Sequence, residues 1–99
     1  MSQYGVYRNP DGNGYLVDVQ ADISSHLTTK VVVPLLSLAL VPKPASRLNP
    51  LFDLNEETYV LMPQFMASVP EKLLKEKLFN VENRRGEIVA AIDLLLQGF

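Results

Sequence analysis

The sequence predicts a mainly β domain carrying one C-terminal α-helix, and three observations support that expectation. Two stretches rich in aromatic and β-branched residues, Tyr4 to Arg8 and Tyr15 to Ala21, flank the turn-forming run Asn9-Pro10-Asp11-Gly12-Asn13-Gly14. A run from Lys30 to Val41 is apolar on both faces, as a strand covered on both sides would be. In the final segment Ile88, Val89, Ile92, Leu95, Leu96 and Phe99 follow the three-and-four spacing of one helix face.

Taken in order, residues 9–14 read as a hairpin turn, because Asp-Gly and Asn-Gly pairs tolerate the positive φ angles of a tight reversal. In the second strand Tyr15, Val17, Val19 and Ala21 form an apolar face directed inward, while Leu16, Asp18 and Gln20 form a mixed one. Asp22 to Thr29 is polar and reads as irregular. Lys30 to Val33 and Leu35 to Val41 read as strand, with Pro34 marking a bulge, bend or edge position, since proline has no N–H to donate. Pro42-Lys43-Pro44 stops the run, and a loop continues to Pro50. Leu51 to Leu54 and Thr58 to Met62 flank Asn55-Glu56-Glu57 as a second hairpin, and Pro63 to Pro70 forms a connection with one short strand. Leu74, Leu78 and Phe79 give Glu71 to Phe79 a brief helical spacing. Asn80 then caps a helix from about Val81 to Leu96, with Ala91 and Leu94 outside its main stripe. So wide an apolar arc in a 99-residue chain calls for cover on two sides, once by the sheet and once by another chain, which points to a dimer.

The totals agree with one domain spanning residues 1–99, since this length supplies one core of useful size. At 47% hydrophobic and 20% charged residues the chain has the composition of a folded protein. A formal net charge of −2 leaves no surplus of cations to neutralise a row of phosphates, which argues against unaided nucleic-acid binding. The lack of cysteine excludes disulfides, thiol nucleophiles and thiolate metal sites. No basic region followed by an apolar core opens the chain, and no apolar run reaches the ~20 residues a bilayer requires, so a cytoplasmic location without membrane contact is expected.

Candidate chemistry is sparse. His26 has no second histidine or cysteine to complete a metal shell, so it reads as an exposed loop residue, and no metal or cofactor is expected. Asp18 and Asp22 stand four residues apart across a strand end; a solvated aspartate and a turn aspartate are a better reading than an acid–base pair. Ser24-Ser25-His26 offers a hydroxyl beside an imidazole, but sequence adjacency is not the geometry of a nucleophile and its base. The glycines of residues 11–14 lie between two strands with no lysine following, so they form a turn and not a phosphate cradle. Arg84 and Arg85 suit either an anion grip on a partner or, preferably, an exposed first helical turn, and Lys72, Lys75, Glu76 and Lys77 a solvated face. What remains is Asp93-Leu94-Leu95-Leu96-Gln97-Gly98-Phe99. Glycine as a helix C-cap with Phe99 folded back is slightly favoured on physical grounds; the sharper reading is an exposed apolar tip free to enter a partner's groove.

Four collinear blocks, Val17-Asp18-Val19-Gln20-Ala21-Asp22-Ile23, Val32-Val33-Pro34-Leu35, Met66-Ala67-Ser68-Val69-Pro70 and the helix Glu87 to Phe99 with its penultimate glycine, resemble the CcdB family of plasmid and chromosomal toxins. The resemblance extends over nearly the whole chain. It implies an SH3-like barrel, with a five-stranded antiparallel sheet, a small extra sheet and a C-terminal helix at a two-fold interface. It also implies a non-enzymatic toxin of a toxin–antitoxin module: a cytoplasmic homodimer whose paired tips enter the A subunit of DNA gyrase and hold the enzyme on cleaved DNA. Carried over by position, the gyrase contacts are Ile23, Ser24, Asp93, Leu96, Gln97, Gly98 and Phe99. A cognate antitoxin, through a segment disordered until bound, covers part of the same dimer and the loops around Arg8 and Asn9 and around Lys43 and Arg47. The resemblance further implies that the complex represses its own operon, with DNA contacted mainly by the antitoxin. The best-known members carry a large aromatic residue where this chain has Gln97, an aliphatic last residue where it has Phe99, and an aliphatic residue in place of Ser24. An aromatic anchor of that kind contributes about 2–4 kcal/mol, and Phe99 is the candidate to supply the stacking surface instead. Two rival functions are a ribonuclease toxin on the same scaffold and an inactive dimeric homologue that only binds antitoxin. The first needs a basic RNA groove and an acid–base partner, which the net charge and solitary His26 argue against.

Overall fold

The computed structural model describes residues 3–22 and 26–98. Strands β1 (Gly5–Arg8) and β2 (Tyr15–Asp18) form the first hairpin, and β3 (Thr29–Ser37) is the longest strand. Then follow β4 (Leu51–Leu54), β5 (Glu57–Leu61), β6 (Ala67–Pro70), β7 (Lys77–Asn80) and the helix α1 (Arg85–Gln97). The pairings are antiparallel and give the order β4-β5-β3-β2-β1-β7, with β6 branching from β3. This is the expected mainly β fold of SH3-like barrel type with a C-terminal helix; its main and extra strands are joined through β3 into one hydrogen-bonded sheet of seven. The sheet curls until its ends face each other, Phe52 to Leu54 of β4 against Phe79 and Asn80 of β7, across a groove of about 280 Å³.

The first turn is built as its residue types require. Asn9 and Asp11 accept the backbone N–H groups of Asp11 and Asn13, and Asn9 N–H donates to the Gly14 carbonyl at 3.1 Å. Gly12 and Gly14 have φ of 92° and 72°, and a Cβ on Gly14 would lie 2.1 Å from the Leu35 carbonyl oxygen. The second hairpin turns on Asn55 and Glu56, both at positive φ, the two-residue geometry whose twist matches that of the strands.

Strand β3 pairs with β2 along one edge and divides the other between two partners. Thr29 to Val32 lie opposite β6, and Leu35 to Ser37 opposite β5. Pro34 sits between them. Its carbonyl accepts from Met62 N–H at 2.9 Å, so its missing donor faces the same edge, where β5 has ended and the 3-10 turn Pro63–Phe65 leads to β6.

Val6, Val17, Val33, Leu35, Leu61 and Ile88 are fully buried in the inner core between the curled sheet and α1. Within it Tyr15 meets Tyr59 and Phe79 edge-on, at ring separations of 5.0 and 5.8 Å. Two smaller clusters lie apart from it: Tyr7, Leu16, Val32 and Leu74 with Val69 of β6, and Val41, Val60 and Met62 with Leu36.

Several expectations are corrected. The helical spacing at Glu71 to Phe79 is not a helix: Glu71–Leu73 is a single 3-10 turn and Lys77–Asn80 is β7, hydrogen-bonded to β1 with a bulge between Val6 and Tyr7. Pairing and burial of Leu74 and Leu78 override a weak local pattern. The third strand stops at Ser37, because its Oγ accepts Ala39 N–H and starts a 3-10 turn at Leu38–Leu40. Asn80 caps a 3-10 turn, Glu82–Arg84, through Glu82 N–H at 2.8 Å, and α1 begins only at Arg85. Ala91 lies at the centre of the buried helix face beside Ile88, whereas Val89 and Leu96 are exposed.

Gly14 and Gly12 separate two effects of a methyl group. We expect Gly12→Ala, which meets open space, to cost about 1 kcal/mol from positive φ alone. Gly14→Ala must also move the β3 backbone and should cost upwards of about 2 kcal/mol. Urea denaturation of the two variants measures the difference; equal midpoints would mean that β3 does not press on the turn.

Candidate functional site

The outer half of α1 is the exposed apolar feature of this helix. Ile88 and Ala91 are buried and Ile92 is partly buried against the core, so the helix is held to the sheet through its first two turns. Beyond them Asp93, Leu96, Gln97 and Gly98 are exposed, Leu96 to 67%. Gly98 N–H donates to the Leu94 carbonyl at 2.9 Å, and its φ of 75° with ψ of −148° falls in a region essentially restricted to glycine. The glycine therefore ends the helix, as the cap reading expects, while the side chains around it stand clear of the sheet. Phe99, with Ile23 and Ser24, lies outside the described residues.

The expected antitoxin contacts occupy separate surfaces. Arg8 and Asn9 line a groove of about 410 Å³ with Pro10, Gly12, Leu73, Lys75 and Glu76, and the Arg8 guanidinium lies 5.9 Å from the Tyr15 ring centre. Arg47 lines a different groove, with Ser46 and Pro50 opposite Glu87 and Ala90 of α1. Lys43 is exposed on the loop between them in sequence.

Arg84 is neither an exposed first-turn residue nor a free anion grip. Its guanidinium lies 4.0 Å over the Phe52 ring, donates to the Leu51 carbonyl at 2.8 Å and pairs with Glu87 one turn on. The hydrogen bond from Arg84 holds the Glu87 carboxyl below its usual range. Arg85 is exposed.

Asp18 is not solvated, contrary to the sequence reading. It is fully buried, because the mixed face of β2 is covered by the layer that β6 and Leu74 form over Leu16 and Val32. One carboxylate oxygen accepts Gln20 N–H at 3.0 Å; the other has no hydrogen-bond partner among the described residues and lies 3.8 Å from Lys30 Nζ. Lys30, itself 5% exposed, also reaches Asp22 Oδ1 at 3.4 Å. Burial pushes the Asp18 carboxyl above its usual range, against the opposing pull of the Gln20 N–H and the Lys30 ammonium. Burial, reinforced by the Asp18, Asp22 and Glu71 charges, raises the Tyr7 hydroxyl likewise. Sequence reasoning missed this cluster, although the two-sided burial of β3 was a signal that its neighbour's outer face would be covered too.

His26 is exposed. Among the described residues no group of three or more His, Cys, Asp or Glu side chains is placed to hold a metal ion, and no helix is long and apolar enough to cross a membrane. A family model described as CcdB protein matches residues 3–98 of this 99-residue chain.

The buried pair has a definite energetic signature. Lys30→Met should cost roughly 3–5 kcal/mol at neutral pH, because it strands the Asp18 charge, and Asp18→Asn combined with Lys30→Met should recover much of that loss. A raised folded-state pKa means that the native state holds the Asp18 proton more tightly than the unfolded chain does. The Asp18 contribution is thus most favourable below its ordinary value of 3.8 and is lost as pH rises through the folded value. Lys30→Met should therefore lose more stability than wild type between acid and neutral pH. A flat difference across that range would contradict this account.

Proposed function

The chain belongs to the CcdB family of toxins from toxin–antitoxin systems, and on that premise we propose that it is a homodimeric poison of DNA gyrase that acts by binding and not by chemistry. The observation that carries this reading is the exposed outer half of α1. Leu96 stands in solvent, beside the polar side chains of Asp93 and Gln97 and ahead of a glycine that turns the chain off the helix axis. An apolar knob rimmed by polar groups suits insertion into the central cavity of the gyrase A subunit. Together with Phe99, Ile23 and Ser24, these residues form the proposed contact set.

The dimer reading has support from the same helix. Val89 and Leu95 leave apolar surface on α1 apart from the Leu96 tip, and Phe65, on the turn packed against α1, is 56% exposed. Two such faces brought together would cover surface that the chain leaves open. The antitoxin is proposed to wrap the dimer with an initially disordered segment, using the surfaces at Arg8 and Asn9 and at Lys43 and Arg47. Its complex with the toxin would repress the operon through DNA contacts made by the antitoxin, in keeping with a net charge of −2 here. Gyrase places the site of action in the bacterial cytoplasm.

Removing residues 97–99 should abolish killing while leaving a folded dimer, and Leu96→Asp should weaken capture of the gyrase A subunit by roughly 30-fold or more, the loss of one interface anchor. Growth assays in cells with ordinary and with toxin-resistant gyrase A, beside size-exclusion chromatography, check both. Killing by the truncated chain, or equal killing of both strains, overturns the reading.

A further inference from the structure

α1 is anchored over a short distance. Its buried contacts with the core are Ile88 and Ala91 with Ile92 partly covered, and its outer half has no comparable cover. A rod fixed at one patch is free to tilt about it, so the direction of the outer half depends on a second point of attachment. The Pro63–Phe65 turn packed against α1 supplies one such point, and Arg84 supplies another at the root. It follows β7 in the chain, yet its guanidinium lies flat over Phe52 of β4, and one of its nitrogens donates to the Leu51 carbonyl. It thereby bridges the two facing ends of the curled sheet at the root of the helix, and its pair with Glu87 couples that bridge to the first turn of α1.

We propose that Arg84 is a positioning residue: by locking the root of α1 to the free edge of β4, it sets the direction in which the helix presents Asp93, Leu96 and Gln97. The lever follows from helix geometry. At 1.5 Å per residue, Arg84 and Gln97 lie roughly 10 Å on either side of the Ile88–Ala91 patch, so slack of about 1 Å at the root becomes about 1 Å at the tip. The fit also needs arginine in particular. A planar fork stacks on the ring and donates in its own plane to two acceptors at once, which a lysine ammonium cannot do. Leu51 offers a carbonyl on the open edge of the sheet, where no neighbouring strand supplies a donor.

What the aimed residues meet rests on the gyrase reading above, but the aiming itself is measured without gyrase. The chain lacks cysteine, so spin labels at Gln97→Cys and at Asn13→Cys, exposed on the turn between β1 and β2, report the tip-to-sheet distance in doubly labelled chains diluted into excess unlabelled protein. Arg84→Ala and Arg84→Lys should each broaden the distance distribution. Val69→Ala, which loosens the separate cluster beneath β6, serves as a control for general loss of stability and should leave it narrow. In unlabelled protein, both Arg84 variants should weaken gyrase A capture by about tenfold, the cost of one lost polar anchor. Narrow distributions in both Arg84 variants, or equal broadening in the Val69 control, overturn the proposal. Broad distributions in a protein whose wild type never binds gyrase sustain the positioning role and remove the gyrase reading instead.

Discussion

One strand with two neighbours on the same edge determines the layout of this protein. Because β3 gives its first half to β6 and its second half to β5, the chain between those two strands must leave the sheet and come back, and it does so through the Pro63–Phe65 turn. Pro34 makes the division workable. Its absent N–H faces Met62, just past the end of β5, whose carbonyl accepts instead from Phe65 N–H at 2.9 Å, so the missing ladder bond leaves no acceptor stranded. Once β6 branches away, it lays Val69 and the following Leu74 over Tyr7, Leu16 and Val32, and the sheet is covered on a second face.

That second layer explains the buried charges. A two-layer fold would have left Asp18 and Lys30 in water; here the branch of β6 closes over both, with Lys30 directly opposite Val69 in the register. The Asp18 oxygen that has no hydrogen-bond partner among the described residues stands 3.8 Å from Lys30 Nζ, beyond hydrogen-bond reach, so the attraction offsets only part of the desolvation. Apolar residues of similar volume would serve stability equally well. What the pair adds is a penalty for misregister, since sliding β3 by one residue would turn Lys30 to the other face and leave Asp18 alone.

The fold was legible in the sequence where local chemistry and tertiary demand agree. The turn at residues 9–14, the hairpin read at Asn55-Glu56-Glu57 and the two-faced apolar run of β3 are each found, though Glu57 already belongs to the strand and β3 keeps the run only as far as Ser37. Legibility failed where a partner distant in the chain decided the outcome. Leu74 and Leu78 carry helical spacing, but β1 offers a free edge from Gly5 to Tyr7, and pairing with it wins. Asp18 follows a polar alternation that means exposure only if the sheet has one covered face. Arg84 was invisible as a structural residue because its contacts, Leu51 and Phe52, lie more than thirty positions away. The candidate tip was legible as a pattern of residue types, and its exposure required the structure.

The same asymmetry accounts for how α1 can be both well formed and sparsely attached. A helix of 13 residues is marginal by itself in water, since nucleation is costly and each later residue adds little. No side chain caps its N-terminus. The initiating cost is instead met by contacts at the root: the preceding 3-10 turn fixed by Asn80, the Arg84 bridge to β4 and the burial of Ile88 and Ala91. Propagation then carries the helix through Leu94 and Leu96 without requiring the sheet beneath them. A segment stabilised from one end is therefore able to hold apolar side chains out in solvent in a fixed conformation. A disordered tail bearing the same residues would lose conformational entropy on meeting a partner, whereas this helix has already lost it on folding.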